Sequence, residues 1–375
     1  MQPDSAPLHS SFDAAPAEFA SLARARELIL RYGWNSTAYQ IVNPGIEHWF
    51  SARAEAVVGY QTAARVRVVA GAPVCAFENL GAVVAEFEAD ARAAGAAVCY
   101  FCAESRLENL CRAAGGYSRV LLGAQPVWNP QNWRRIYDES KSLRYRINRA
   151  RHKNVCVAEW SSERAHNHPA LRSCLSAWLA TKNLPPLHFL VEPNTLARLR
   201  DRRIFVAERD NEVVGFLILS PVVQRAGFLF EQFVHCPQAP NGTVPLLIDT
   251  AMRALAADDC AYASLGLSPL STRAVVASFD NPLWLRLTLA WMRRHGQRFY
   301  NFDGLDRFKT ALQPERWEPV FAVANQPRPS PQILYAIASV FSANHPFRLL
   351  FGGLQRAAQA EIKHLRQRKN APPHD

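Results

Sequence analysis

The chain runs to 375 residues, 49% of them apolar, with nine Trp and twenty Phe, so a sizeable core can form and two α/β units are expected rather than one. Lys plus Arg exceed Asp plus Glu by 43 to 32, a net charge of +11 that favours a polyanionic partner, nucleic acid or anionic lipid. Eight dispersed cysteines exclude a small disulfide scaffold and fit a reducing cytoplasm.

The first residues, MQPDSAPLHSSFDAAPAE, lack the basic-then-apolar block of a signal peptide, and residues 1–18 are expected to be a leader outside the fold. A first unit then spans residues 19–133. Its patterns alternate, with a helix around Glu18 to Tyr32, strands at 56–60 and 65–70, a helix at 80–94 closed by Gly95, a strand at 97–102, a helix at 105–114 and a strand at 118–123. Cys99 and Cys102 form a C-x-x-C inside an apolar run with no second ligand pair, so buried strand cysteines are expected there and no metal site.

Residues 134–160 are expected to form a basic connector helix. The stretch WRRIYDESKSLRYRINRARHK, residues 133–153, carries eight Lys or Arg against two acids. At 100° per residue Arg146, Arg149 and Lys153 share one face, which suits a phosphate backbone or, more plainly, solvent. A second unit at 161–325 repeats the alternation without a visible internal repeat: a helix near 168–181, strands at 203–209, 212–219 and 227–234, a helix at 244–257 and a strand at 262–267. In residues 326–375 a Pro-rich stretch leads into an apolar block and then a basic one, RAAQAEIKHLRQRK. Such a tail can lie in a bilayer interface or pack on the protein's own sheet. No run reaches the ~18 apolar residues of a spanning helix, so membrane contact is expected to be peripheral.

Three blocks of the second unit carry the chemistry: Phe230-Glu231-Gln232-Phe233-Val234-His235 leading to Ala239-Pro240-Asn241-Gly242-Thr243, then Leu265-Gly266-Leu267-Ser268-Pro269-Leu270, then Gly304-Leu305-Asp306-Arg307-Phe308-Lys309. Together they resemble the C-terminal catalytic domain of the bacterial phosphatidylglycerol lysyltransferases, the multiple peptide resistance factor family. Gly33-Trp34-Asn35, Gly71-Ala72-Pro73-Val74 and the basic connector resemble that family's remaining blocks, so the likeness runs from about Ala20 to Val323. The resemblance implies tandem acetyltransferase-like (GNAT) folds, mixed sheets flanked by helices. It implies transfer of an aminoacyl group from aminoacyl-tRNA to a lipid hydroxyl, by a cytoplasmic protein working at the inner face of the membrane. An anionic phospholipid or membrane surface is then the second partner.

An aminoacyl ester is already activated, so no cofactor is expected; the site needs a proton acceptor, oxyanion donors and a pocket for the aminoacyl group. Glu231 matches the family's acid and is the candidate for holding the substrate amine or assisting proton transfer, unless it is an acid satisfied within the core. His235 is placed to support it. Asn241 or Thr243 can cap the following helix and, with Gly242, present backbone N–H groups to an anion. Gly266 lets substrate approach the backbone, while Arg307 and Lys309 are candidates for the tRNA end or a lipid phosphate. Arg146, Arg149 and Lys153 are the candidate tRNA contacts.

At Pro245 the chain departs from the family's acid, so a cationic aminoacyl group is not implied, and these residues include no spanning flippase segment. Two other readings stay open: a CoA-dependent acyltransferase and a catalytically silent binding module. Arg92-Ala93-Ala94-Gly95-Ala96-Ala97 fits the pyrophosphate pattern R-x-x-G-x-A but closes a helix instead of opening one.

Overall fold

A computed structural model describes residues 16–182, 187–274, 282–287, 289 and 302–342. Apolar periodicity becomes elements much as expected. In α2 (Leu80–Ala93), Leu80, Val83, Val84, Phe87 and Ala91 fall on one stripe and are buried against the sheet. The other helices of the first unit are α1 (Pro16–Tyr32) and α3 (Ser105–Ala114). Its strands are β1 (Glu47–Phe50), β2 (Val57–Ala63), β3 (Val66–Ala70), β4 (Ala97–Ala103) and β5 (Ser118–Trp128). The expected leader lies outside the described residues up to residue 15.

The second unit carries β6 (Cys156–Trp160), α6 (Ser162–Ala165), α7 (Pro169–Ala180), β7 (Arg203–Arg209), β8 (Glu212–Val222), β9 (Gly227–His235), α8 (Thr243–Ala257), β10 (Tyr262–Ser264), β11 (Ser268–Pro269) and β12 (Arg316–Ala324). Each unit has the same heart, an antiparallel run leading into a parallel strand–helix–strand step. These steps are β3–α2–β4 and β9–α8–β10. The fold class expected from the sequence, acetyltransferase-like halves with mixed sheets flanked by helices, is the one observed.

The strands of the described residues join one 12-stranded sheet in the order β1-β2-β3-β4-β12-β5-β10-β9-β8-β7-β6, with β11 beside β5. The halves have thus exchanged strands: β12, last among the described residues, lies between β4 and β5, while β5 from the first unit pairs with β10 of the second. No strand was expected at β12. It is central, and its residues 320–324 are all buried, Val320, Ala322 and Ala324 on one core and Phe321 and Val323 on the other. A strand covered on both faces loses the polar alternation that marks strands in sequence.

Two boundaries differ from expectation. The basic connector is two helices, α4 (Trp133–Glu139) and α5 (Lys141–Arg151), followed by β6. Ser140 interrupts them with extended ψ and accepts the Leu143 N–H, a side-chain N-cap. The strand expected at 262–267 stops at Ser264, and Gly266 turns the chain with φ 68° into β11.

Of the two courses expected for the tail, its helix Pro331–Phe341 takes the second and packs on the protein's own sheet. Ile333, Ala336 and Val340 enter the core beneath β2 and β3, and Phe341 meets Phe101 and Phe189 edge-on. Full burial of side chains the size of Ile and Val stabilises by about 1.5–3 kcal/mol each, which holds this helix away from a bilayer. The basic block falls after residue 342, outside the described residues. Among the described residues no helix is long and apolar enough to cross a membrane.

Candidate active site at the junction of the two halves

Glu231 lies on β9 with its side chain 3% exposed, facing a fully buried Arg202. The guanidinium donates from Nε to Oε2 at 2.9 Å and from Nη2 to Oε1 at 3.2 Å, and the Ser220 hydroxyl also donates to Oε2. Arg202 spends its remaining donors on the Arg198 carbonyl and the Asn43 side chain, and stacks 4.9 Å over Tyr39. Asn43 and Tyr39 belong to the first unit. The pair therefore ties the halves together, with three hydrogen bonds converging on the Glu231 carboxylate. His235, four residues along the strand and so about 13 Å away, is exposed, with Nδ1 3.2 Å from the Cys236 carbonyl. The structure does not bring His235 to the Glu231 carboxylate.

A second nest forms where β10 ends. The helix Phe302–Thr310 buries Lys309 to 2% exposure, and its Nζ donates to the carbonyls of Gly266 at 2.8 Å and Leu267 at 2.9 Å. Burial lowers the amine's pKa to about 7, only partly opposed by the charge of Asp306. The next residue, Ser268, has a buried hydroxyl without a hydrogen-bond partner among the described residues. One turn earlier on the same helix, Asp306 accepts from Ser271 and Arg273, both at 2.7 Å. Asp303, Asp306 and residues 269–273 line a cleft of about 370 Å³. Arg307 is exposed, its Nε on the Asp303 carbonyl.

The start of α8 corrects one expectation. Neither Asn241 nor Thr243 caps the helix: Gly242 holds the N-cap position with φ 102°, and the Thr243 hydroxyl donates to the Pro240 carbonyl at 2.7 Å. A Cβ on Gly242 would lie 2.1 Å from the Arg146 carbonyl, so glycine is required for α5 to rest on this turn. The Thr243 N–H is taken by Pro240, and Pro245 has none. The loop that would cradle a CoA pyrophosphate in this half is thereby covered and short of donors. In the other half, Arg92–Ala97 does close α2 and enter β4.

Along α5, Leu143, Ile147 and Ala150 form the buried face that packs on α8. Trp133 and Arg151 bind Asp249, a fully buried acid on α8, each at 2.9 Å. Arg149 and Lys153 are exposed and Arg146 is half-buried, its Nε on the Ser142 carbonyl; Lys153 sits in the turn after the helix. Cys99 and Cys102 are buried strand residues, and burial raises the Cys99 thiol to about 12, so it stays protonated.

Sequence reasoning missed the partners. Arg202 sits in Arg200-Asp201-Arg202-Arg203, a run that looks like a solvated turn. It also missed Arg225, between β8 and β9, which reaches Glu104 at 3.0 Å and Glu318 at 2.6 Å while stacking on Tyr262 at 3.8 Å.

A family model described as phosphatidylglycerol lysyltransferase, C-terminal, matches residues 26–324. The chain belongs to this family. The same fold recurs in the C-terminal domain of a candidate lysylphosphatidylglycerol synthetase from Agrobacterium fabrum, at TM-score 0.75 and 20% identity over 87% of this chain and 98% of that one. L-PGS from Bacillus licheniformis matches at TM-score 0.69 and 18% identity, over 85% and 95% of the two chains. FemX matches at TM-score 0.52 and 10% identity, over 86% and 98%. Among curated proteins none matches the chain significantly. For this lysyltransferase-family chain, Glu231, Gly266 and Lys309 all lie within the matched span.

Proposed function

We propose that this chain moves an aminoacyl group from aminoacyl-tRNA to the hydroxyl of an anionic phospholipid, at the cytoplasmic face of the membrane. The lipid oxygen forms a new ester bond with the aminoacyl carbonyl carbon, and the bond from that carbon to the ribose oxygen breaks. The hydroxyl proton ends on the leaving ribose oxygen.

The observation that carries this reading is Lys309, a buried amine poised near neutrality on the carbonyls of Gly266 and Leu267, on the helix whose Asp303 and Asp306 line a cleft of about 370 Å³. Two of its N–H bonds go to Gly266 and Leu267, so its last position is a lone pair when neutral and a donor when charged. Such a group takes the hydroxyl proton and returns it to the ribose. Glu231 is a positioning residue in this scheme: with Arg202 it fixes the first unit against β9. The exposed cations of α5 and the turn after it, with Arg146, meet the tRNA phosphates. Arg307 at the exposed side of its helix is a further phosphate contact.

The test supplies purified protein with each labelled aminoacyl-tRNA in turn and with phosphatidylglycerol vesicles. A labelled lipid is expected without CoA. Consumption of acetyl-CoA with an amine acceptor, and no labelled lipid from any amino acid, would reject the proposal.

A further inference from the structure

The second unit holds two thiols in sulfur-to-sulfur contact that play no part in the proposed transfer. Cys174 lies within α7 and Cys236 directly follows β9, 62 residues later in the chain. Their Sγ atoms are 2.7 Å apart, and both residues are free cysteines. Non-bonded heavy atoms settle at about 3.5–4.0 Å, whereas a disulfide bond is about 2.05 Å long. The two sulfurs therefore stand closer to bonding distance than to ordinary contact.

Each side of the pair is held by its own surroundings. On α7, Leu171, Cys174 and Leu175 form the buried stripe, spaced i, i+3 and i+4, that packs on β7, β8 and β9. Opposite, the Cys236 N–H donates to the Val214 carbonyl at 2.9 Å, and its thiol lies 3.5 Å from the Val213 carbonyl. Cys174 is 2% exposed and Cys236 5%, in a core shared with Phe216, Ile218 and Val234. Burial raises the pKa of the Cys174 thiol, so it rests in its neutral form. An uncharged disulfide suits such a core where a thiolate does not.

We propose that Cys174 and Cys236 are an oxidation site, forming a reversible intramolecular disulfide that pins α7 to the end of β9. With hydrogen peroxide as the oxidant, one thiol takes up an oxygen atom, becomes a sulfenic acid and releases water. The second thiol's sulfur then displaces the hydroxyl as a second water, and the S–S bond forms. Two S–H bonds are lost, the sulfurs give up two electrons in all, and the peroxide O–O bond is reduced. Thiol reductants reopen the link by exchange. Closing a loop of this length narrows the unfolded ensemble, so the linked form is the more stable one. Cys236 also opens the turn that leads through Pro240 and Gly242 into α8, the turn on which α5 rests, so the link fixes that turn at its first residue.

The experiment treats the reduced whole chain with hydrogen peroxide, alkylates it in denaturant, and maps its peptides by mass spectrometry without reductant. A second sample is refolded from urea in a glutathione redox buffer, where access to buried thiols does not limit the reaction. Both are expected to yield a peptide linked through Cys174 and Cys236, which dithiothreitol removes, and a melting temperature higher by a few degrees. C174S and C236S should each lose the link and the shift, while C156S, at an exposed cysteine, keeps both. No such link in either sample, under peroxide that oxidises Cys156, would overturn the proposal. So would a link that leaves the melting temperature unchanged. Neither readout depends on aminoacyl transfer.

Discussion

Two cations stand at corresponding places in the two halves, where each parallel step ends, and they are held differently. Beyond β4, Glu104 and Glu318 grip Arg225, a buried cation with two carboxylates. Beyond β10, Lys309 has as its hydrogen-bond partners among the described residues the carbonyls of Gly266 and Leu267. A guanidinium between carboxylates stays charged and serves as a clasp across the exchanged strands. An amine that has given up water for two neutral acceptors sits near its own titration point. The first arrangement builds; the second can exchange a proton.

The largest effect should come from breaking the second arrangement. Lys309→Met is expected to lower transfer by about 10²- to 10⁴-fold, the usual range for losing a general acid–base, without loss of tRNA binding. It should also lift a stability penalty. The folded value of about 7 lies below the ordinary 10.5, so between those values the unfolded chain binds the extra proton and stability rises with pH. Below about 7 both states are charged and the full cost of burial persists. Denaturant unfolding should therefore show Lys309→Met at least as stable as the wild type at low pH, with a flatter climb towards alkaline pH. A variant that loses stability at every pH would make Lys309 structural.

Glu231→Gln sharpens the comparison from the clasp side. It leaves Arg202, which is fully buried, with an uncompensated charge, and breaking such a pair costs about 3–5 kcal/mol. Urea midpoints should fall accordingly, while an apolar replacement of both Arg202 and Glu231 recovers much of the loss. If Glu231→Gln instead keeps its stability and loses only turnover, the carboxylate acts directly on substrate.

The smallest expected effect concerns the connector. Reversing Arg146 and Arg149 to Glu should weaken charged-tRNA binding and reduce the steepness of its salt dependence by about one to two phosphate contacts. Filter binding across a salt series measures this, and an unchanged slope would remove α5 from the RNA surface.

The contrast also explains how much was legible in the sequence. The local periods of α2 and α3 are strong because each has one buried face, β7 reads as a continuous apolar run because Ile204 and Val206 meet one core and Phe205 and Ala207 another, and the blocks around Glu231, Gly266 and Lys309 stood out through their resemblance to the family. The strand exchange was not legible: β12 is covered on both faces, so its pattern shows nothing of which half it completes. The partners of each charge were hidden for the same reason. Arg202 lies 29 residues from Glu231 and Arg225 lies 121 from Glu104, separations that only the assembled sheet closes. That Lys309 is buried and Arg307 exposed on one helix depends on which face meets the loop after β10.

The most direct test of the account is the pH dependence of a single turnover, from pre-bound aminoacyl-tRNA to lipid, between about pH 5.5 and 8.5. If neutral Lys309 accepts the hydroxyl proton, the rate should climb tenfold per unit at the acid end and level off through about 7. Lys309→Met should show a low rate without that inflection. A wild-type profile that stays flat across this range, or that falls as pH rises through 7, would contradict the claim that this buried amine carries the proton.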